Sequence, residues 1–233
     1  MNLQKNLLRL LNFADLENED EIIERLICVG EQLFYHFRIC AHKKLFRITA
    51  VELYLKQHPH LDDPTAHGHE EQMSHGDFYV HRYQNFRAPF RCGLDITCGS
   101  KKRKIYGGLL IRELDKIDGP SKALITLVDG HYNPKRSKKW SASEKMKLKK
   151  IKGASIFDKK NKIFLVASPA SQQEVKEIFI GPRILTANQL VKHKSIAEKS
   201  FRAACWRTRR HPKQMTQMRT SCHKLMGSLS KEL

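Results

Sequence analysis

The chain lacks several features that would place it in or beyond a membrane. Its 233 residues contain no apolar run of about 18 residues, so no transmembrane helix is predicted. Residues 1–11 are partly apolar but carry no small-residue cleavage site, so no secretion signal is predicted either. The six cysteines form no Cys-x-x-Cys pair, and free thiols in a reducing compartment are therefore expected.

Acidic residues are scarce relative to basic ones, with 24 Asp and Glu against 43 Lys and Arg. The resulting net charge of +19 predicts a polyanionic partner, most simply nucleic acid. An anionic membrane surface is the rival, but no Lys/Arg-rich amphipathic helix with a Trp/Phe face is present. The charge is uneven: residues 1–35 hold three basic against seven acidic residues, whereas 135–162 hold twelve against two and 192–233 eleven against two.

Residues 47–55 alternate in character as the residues of a β-strand do. One face would pack on a core and carries Thr49, Val51, Leu53 and Leu55. The other face carries Ile48, Ala50, Glu52 and Tyr54. A carboxylate beside an aromatic ring on a rigid strand suits a site that stacks a flat ligand and activates a water. The alternative is an edge-strand glutamate in solvent, next to a half-buried tyrosine.

The remaining periodicity predicts helices first and short strands afterwards, and hence an α+β protein. Apolar stripes predict helices over 2–12 and 20–37, and a Lys-rich stretch predicts another over 143–152. Strands are expected over 77–83, 93–98, 106–113, 163–167 and 175–180. In the first of these, Phe78 and Val80 would point away from Tyr79 and His81. Residues 99–104 are expected to form a basic hairpin turn.

Two loops are rich in residues that bind ligands. The loop 56–76 holds five histidines: His58, His60, His67, His69 and His75. Zinc needs three or four convergent ligands, and no fixed ligand spacing is met, so we expect no metal and one or two functional histidines. The loop 84–91 interleaves arginines with Phe86 and Phe90. Such interleaving is typical of nucleic-acid binding, in which rings stack on bases or wedge between them.

Several motifs occur in an order that resembles the alkyladenine (3-methyladenine) DNA glycosylase family, which excises alkylated purines. The family's strand motif is matched by Arg47, Ile48, Glu52, Tyr54 and Leu55. Its acidic turn with Ala-His is matched at 62–67, its Tyr-Val-Tyr strand at 79–81, its Asn-Ile-Ser strand at 95–97 and its Leu-Leu-Arg segment at 109–114. Gly-Pro-Ser-Lys at 119–122 and Gly-Pro-Arg-Ile at 181–184 are shared unchanged.

The chain resembles a divergent member of that family. His81 replaces a stacking tyrosine and Asp95 replaces an asparagine; an Arg-Asn segment before the second strand is absent, and the gap before Gly-Pro-Ser-Lys is shorter. The resemblance implies a single α+β domain with a curved antiparallel sheet, surrounding helices and a basic C-terminal extension. The expected division is an N-terminal helical segment (1–45), a glycosylase-like domain (46–207) and a basic tail (208–233).

The resemblance also implies roles for individual residues. Glu52 would activate the water that attacks C1′ of a flipped nucleotide, and Arg112 would hold that water or an adjacent phosphate. The base-binding residues would be Tyr54, His67, Tyr79, His81 and Asp95, with Tyr54 and His81 sandwiching the base. The DNA-binding residues would be Tyr83, Phe86, Arg87, Lys101, Lys102, Arg103 and Lys122.

The implied activity is hydrolysis of the glycosidic bond in duplex DNA, by a monomer that needs no cofactor and no metal. No lysine lies in the proposed catalytic strand, so excision without strand cleavage is expected. The expected location is the cytoplasm, on the nucleoid if the source is bacterial. Two alternatives stay open: a non-catalytic DNA- or RNA-binding protein on the same scaffold, which does not need the Glu52 carboxylate, and a metal-dependent nuclease that uses the histidines of 58–75.

Overall fold

Two helices open the chain, and an asparagine caps each of them. The structure is a computed structural model that describes residues 2–81, 92–115, 117–135, 139–168, 177–182, 201–204 and 216–219. Asn2 accepts hydrogen bonds from two backbone N–H groups of α1 (Leu3–Leu10), and Asn18 accepts one from α2 (Glu19–Glu31). The acidic first turn of α2 also favours its start, because carboxylates stabilise the positive end of the helix dipole. Both helices bury the apolar stripes that the sequence predicts.

The predicted helix 20–37 ends early, because the chain turns into a hairpin. After α2, residues Gln32–His36 form one π-helical turn. The next strands, β1 (Phe37–Ala41) and β2 (Lys44–Phe46), pair antiparallel, and β1 also pairs with residues 163–167. This long-range pairing overrides the helical spacing of the apolar residues. The helical assignment of segment 1–45 is therefore wrong from Phe37 onward.

A second, larger antiparallel sheet carries most of the strands. Its members are β3 (Ile48–Lys56), β4 (His75–Val80), β5 (Leu94–Cys98), β6 (Tyr106–Leu114), the short β7 (Ile117–Asp118), β9 (Glu177–Pro182), β10 (Phe201–Ala204) and β11 (Thr216–Arg219), while β8 (Ile163–Ala167) belongs to the β1–β2 sheet. The order in the described part of the chain is β11-β9-β10-β3-β6-β5-β4, with β7 beside β6. Every neighbouring pair is antiparallel, so the predicted α+β class with antiparallel sheets is confirmed.

Most predicted strands occur close to their predicted bounds. The strand at 163–167 matches, and those at 93–98 and 106–113 differ by one residue. The strand predicted at 77–83 begins two residues earlier, at His75, and the one predicted at 175–180 runs from Glu177 to Pro182. Gly181 and Pro182, the first two residues of the Gly-Pro-Arg-Ile tetrapeptide, thus end β9. Within the predicted tail 208–233 the structure describes one strand, β11, which pairs with β9.

One face of the larger sheet packs into the hydrophobic core. Its buried side chains include Val51, Leu53, Leu55, Phe78, Val80, Leu94, Ile96, Leu109 and Ile111. Burying a side chain of this size is worth about 1.5–3 kcal/mol relative to exposure, so the face is held firmly. Ile48 also joins this core, although alternation predicts it on the Glu52 face. Register shifts between Ile48 and Val51 explain the difference, because a β-bulge reverses the alternation.

Two further helices follow the sheet. The Gly-Pro-Ser-Lys tetrapeptide starts helix α3 (Pro120–Asp129). Proline suits the first turn because it lacks an N–H that would be unpaired there, and Gly119 precedes it with φ of 117°, which disfavours any side chain. Helix α4 (Ala142–Ile151) lies within a residue of its prediction and begins with a Ser141–Glu144 capping box.

Some predictions concern parts of the chain beyond the described residues. Tyr83, Phe86, Arg87 and Phe90 lie in 82–91, outside the described ranges. Arg183 and Ile184 of the second shared tetrapeptide also lie outside them. Among the residues that are described, no helix is long and apolar enough to cross a membrane.

Candidate active site on the polar face of the sheet

Strand register brings the predicted residues into one row. Leu110 of β6 pairs with Glu52 on one side and with Asp95 on the other, and Asp95 pairs with Tyr79 of β4. Directly opposed residues of antiparallel strands share a face, with Cβ atoms about 4.5–5.5 Å apart. Glu52, Asp95 and Tyr79 therefore lie on the sheet face opposite the core. Gly108 pairs with both Tyr54 and Thr97, which places Tyr54 on the same face.

Glu52 occupies the centre of this face. Strand β3 lies between β10 and β6, and Glu52 is only 2% exposed, so the alternative of an edge glutamate in solvent is wrong. The Tyr54 hydroxyl donates a hydrogen bond to Glu52 Oε2 at 3.2 Å. Arg112 Nε lies 3.7 Å from Glu52 Oε1 and 3.9 Å from Asp118 Oδ1. The guanidinium thus balances two carboxylates without a short hydrogen bond from Nε to either.

Asp95 is a second carboxyl group in the same row. It is fully buried, and its Oδ2 lies 3.2 Å from His81 Nε2. Burial raises the pKa of Asp95 well above its usual range, and the nearby Glu52 charge raises that pKa further. Paired carboxyl groups in one site commonly divide acid and base roles. Glu52 is the candidate base, and Asp95, whose raised pKa favours the protonated carboxyl, is the candidate acid.

A glycine makes room for Asp95. A methyl group at Gly108 would lie 2.8 Å from Asp95 Oδ2 and 3.1 Å from Gln72 Nε2. Any side chain at 108 would therefore push the carboxyl group out of its position next to His81. Gln72, only 1% exposed, holds the other side of this space, and its Oε1 accepts a hydrogen bond from the His69 N–H at 3.1 Å.

Aromatic rings surround the two carboxyl groups. The centroid of the His81 ring lies 4.4 Å from that of His67, 5.6 Å from that of Tyr79 and 6.0 Å from that of Tyr54. His69 stacks on Tyr79 at 5.4 Å. The planes of Tyr54 and His81 meet at 75°, so these two rings do not form the parallel sandwich expected from the resemblance. A base could stack on one of them and meet the edge of the other.

The loop that carries His67 is anchored by its own carboxylates. Asp63 Oδ1 accepts hydrogen bonds from the Thr65 amide and hydroxyl, and Asp62 Oδ1 accepts one from the Gln57 amide. The Asp63 N–H donates to Leu55 O at 2.8 Å, which ties the loop to the end of β3. These bonds shape the loop so that exposed His67 reaches His81.

The histidines of this loop serve different places. His58 is buried, and its Nε2 lies 3.1 Å from Phe13 O, on the side of the N-terminal helices. Burial lowers the pKa of His58. His67 and His69 instead meet the rings of the polar face. In the ranges that the structure describes, no group of three or more His, Cys, Asp or Glu could hold a metal ion. The nuclease alternative thus has no metal ligand set among those residues.

The predicted basic DNA-binding residues that the structure describes lie at two places. Lys122 lies at the start of α3, and Lys101, Lys102 and Arg103 lie between β5 and β6. The Gly119 N–H donates to Arg112 O at 3.0 Å, and the Ser121 hydroxyl donates to Cys92 O at 2.8 Å. These bonds support the site. Lys122 is exposed on the first turn of α3, and its Nζ lies 5.6 Å from the centre of the Tyr132 ring.

Lys101, Lys102 and Arg103 form the exposed turn between β5 and β6, where Arg103 pairs with Asp15 at 3.1 Å. The turn is far from Glu52, because the four residues from Leu110 to Tyr106 alone span about 13 Å.

Sequence reasoning missed three residues of this site. His69, Gln72 and Asp118 each contact or support a predicted residue. Asp118 directly precedes the Gly-Pro-Ser-Lys tetrapeptide, and His69 is two residues from His67, so both could have been included by proximity. Gln72 carried no sequence pattern that would have identified it.

Replacing Asp95 by asparagine tests the environment of this carboxyl group. Folding raises the pKa of Asp95, so the protonated carboxyl contributes stability at low pH. This contribution is lost as the pH rises through the pKa of the folded state. Asparagine cannot ionise, so we expect Asp95→Asn to be more stable than the wild type at alkaline pH, with little difference at acidic pH. The variant's gain in the free energy of unfolding at alkaline pH is about 1.4 kcal/mol for each pH unit by which folding raises the pKa of Asp95.

Urea unfolding across a pH series measures this effect, with the exposed Glu24→Gln as the control carboxylate. A variant that is no more stable than the wild type at alkaline pH would contradict the raised pKa of Asp95.

Comparison with known proteins assigns no function to this site. A scan against protein-family models gives no match to the chain, and a search of curated proteins gives none either.

Proposed function

We propose that the protein is a monofunctional DNA glycosylase that flips a damaged purine, most simply an alkylated one, out of duplex DNA and hydrolyses its glycosidic bond. The observation that carries the proposal is the buried Glu52 carboxylate, held by the Tyr54 hydroxyl and Arg112, next to a cluster of aromatic rings. A water-activating carboxylate next to stacking rings is what base excision requires. The net charge of +19 supports a polyanionic substrate.

The proposed reaction uses few groups. The flipped base stacks on a ring of the cluster, and Glu52 takes a proton from the water whose oxygen bonds to C1′. The bond from C1′ to the base nitrogen breaks, and its electron pair leaves with the base. An alkylated purine carries a positive charge that this electron pair neutralises, so such a base needs no acid to leave.

The Asp95–His81 contact would assist a different class of base. A neutral damaged purine leaves more easily when it accepts a proton or a hydrogen bond. Asp95, whose raised pKa favours the protonated carboxyl, lies 3.2 Å from His81 and next to the ring cluster, where it could supply that proton or bond. Arg112 would orient Glu52 and offset the negative charge of the carboxylate in the resting site.

A non-catalytic DNA- or RNA-binding protein is the second candidate, and one observation favours it. Glu52 is almost fully buried, and the rings of His67 and His81 are in mutual contact over this face. A base would therefore have to displace at least one ring before a water at Glu52 could reach C1′.

Release of free base from a methylated DNA duplex distinguishes the two functions. The glycosylase releases methylated purine in an amount that grows with time and leaves the DNA strand intact until alkali is added. An undamaged duplex of the same sequence is the control. If neither alkylated nor deaminated purine duplexes release free base, and the protein still binds duplex DNA tightly, the non-catalytic binding function is the correct one.

The charge distribution predicts a steep dependence of duplex binding on salt. If roughly five phosphates are contacted, log K should fall against log salt with a slope of about −4 to −5. Replacing Lys122 by alanine should reduce the slope by about one if it contacts a phosphate, whereas the exposed Lys5→Ala on the acidic N-terminal segment should leave it unchanged. Fluorescence anisotropy at several salt concentrations measures the slope. A slope near zero would exclude nucleic acid as the partner.

A further inference from the structure

A second concave surface lies away from the ring cluster. A cleft of about 250 Å³ opens between α4, the C-terminal end of α3 and the start of β8, and we name it the α4 cleft. Its lining includes Val128, Ile151 and Ile163, all of which are buried apolar residues. The N-terminal end of α3, by contrast, lies near the polar face, since Pro120 and Leu110 both flank Gly93. A helix of ten residues is about 15 Å long, so a ligand in the cleft need not reach Glu52.

One wall of the cleft combines an exposed apolar side chain with lysines. Met146, Lys147 and Lys150 lie on one face of α4, at helical spacing, and all of them line the cleft. Met146 is 63% exposed, and in the described part of the chain Leu45 is the other exposed large hydrophobic residue. Thioether side chains adapt to differently shaped apolar groups, and they are common on surfaces that bind peptides.

Lysines form the rim of the cleft, and none of the described residues that line it carries a carboxylate. Lys150, Lys160 and Lys162 are exposed, while Lys147 Nζ donates to Val128 O at 2.9 Å and stays at the edge. The two acidic residues of this segment make hydrogen bonds that shape the chain. Glu144 caps α4, and Asp158 accepts bonds from the Lys160 amide and the Asn161 side chain. The positive charge of the rim is therefore available to an anionic ligand.

The lining favours a peptide over a nucleic acid. Phosphates are commonly held by the forked donors of arginine and bases by aromatic rings, and none of the described residues that line the cleft is Arg, Phe, Tyr or Trp. An apolar floor inside a cationic rim instead complements an apolar side chain flanked by carboxylates. Apolar anchors in a groove with charged neighbours are a recurring mode of peptide recognition, in which the charges add specificity and speed association.

We propose that the α4 cleft is a docking site for an acidic segment of a partner protein that inserts an apolar side chain against Met146. The lysines of the rim contact carboxylates on either side of this anchor. The site is separate from the one proposed for base excision, so the proposal does not depend on glycosylase activity.

Binding of a short fluorescein-labelled peptide tests the proposal with the full chain. The probe alternates Asp and Glu with Leu and Phe, and a control peptide has Ser in place of Leu and Phe. Met146→Glu and Lys150→Glu should each weaken binding of the probe at least about tenfold, which is ~1.4 kcal/mol. Lys149→Glu is the matched control, because Lys149 is exposed on the same helix and does not line the cleft. It should weaken binding much less than Lys150→Glu does.

Three results would overturn the proposal. Equal binding of the two peptides would mean that charge alone attracts them and that the cleft holds no anchor. Equal losses of peptide binding in Lys149→Glu and Lys150→Glu would mean that the charge of the whole helix surface, and not the cleft, attracts the peptide. Displacement of the probe by an undamaged DNA duplex, together with weaker duplex binding by Met146→Glu, would assign the surface to nucleic acid. Far-UV circular dichroism of each variant checks that the helix is intact.

Discussion

Replacing Glu52 by glutamine is expected to lower base excision by about 10²–10⁴-fold, because a general base contributes that much to a hydrolysis. Glutamine keeps the size of the side chain and its ability to accept a bond from the Tyr54 hydroxyl, but it cannot take the proton of a water. Single-turnover release of methylated purine measures the loss. Binding of the duplex should stay equal or become slightly tighter, since a negative charge near the phosphates has been removed.

Two further variants make this result specific. Glu70→Gln removes an exposed carboxylate from the turn before β4 and should leave the excision rate unchanged. Tyr54→Ala removes a stacking ring, worth about 1–3 kcal/mol per base, and should weaken capture of the damaged base as well as the rate. If Glu52→Gln releases base as fast as the wild type, Glu52 is not the base. The group that activates water must then be sought elsewhere on the polar face.

Replacing Arg112 by glutamine is expected to lower the free energy of unfolding by about 3–5 kcal/mol, because it leaves a buried carboxylate without its cation. Glu52 is nearly inaccessible to water, and Arg112 Nε is the cationic atom 3.7 Å from its Oε1. In a Glu52→Gln background the same substitution should cost at least about 1 kcal/mol less, which is the coupling expected for residues in contact. Urea unfolding of the four proteins of this cycle measures the coupling.

The control for this prediction is an exposed ion pair. Arg103 lies 3.1 Å from Asp15, but both side chains are more than half exposed, so Arg103→Gln should change stability by less than about 1 kcal/mol. An equal cost of Arg112→Gln with and without the Glu52 charge would show that Arg112 acts through packing or through Asp118. The excision rate of Arg112→Gln should fall as well, because the carboxylate loses the group that orients it.

Local patterns in the sequence determined the elements that carry the site. The alternation of residues 47–55 and 77–81 placed Glu52 with Tyr54, and Tyr79 with His81, on polar faces, because a strand has a period of two whatever its neighbours are. Composition predicted the basic hairpin turn and, from a Lys-rich stretch, α4, while apolar stripes predicted α1 and α2. The sequence could not show that the helix predicted over 20–37 stops before Phe37, because the strand that starts at Phe37 depends on pairing with residues 163–167.

Tertiary structure alone decided how these elements meet. Glu52 and Asp95 are 43 positions apart in the sequence, and only the register of β3, β6 and β5 places both opposite Leu110. The burial of Asp95, the perpendicular rings of Tyr54 and His81, and the separation of His58 from His67 all depend on contacts between distant segments. The sequence by itself determined which chemical groups the polar face carries. Their protonation, orientation and access to water were decided by the packing of the sheet, because these properties depend on what surrounds each group.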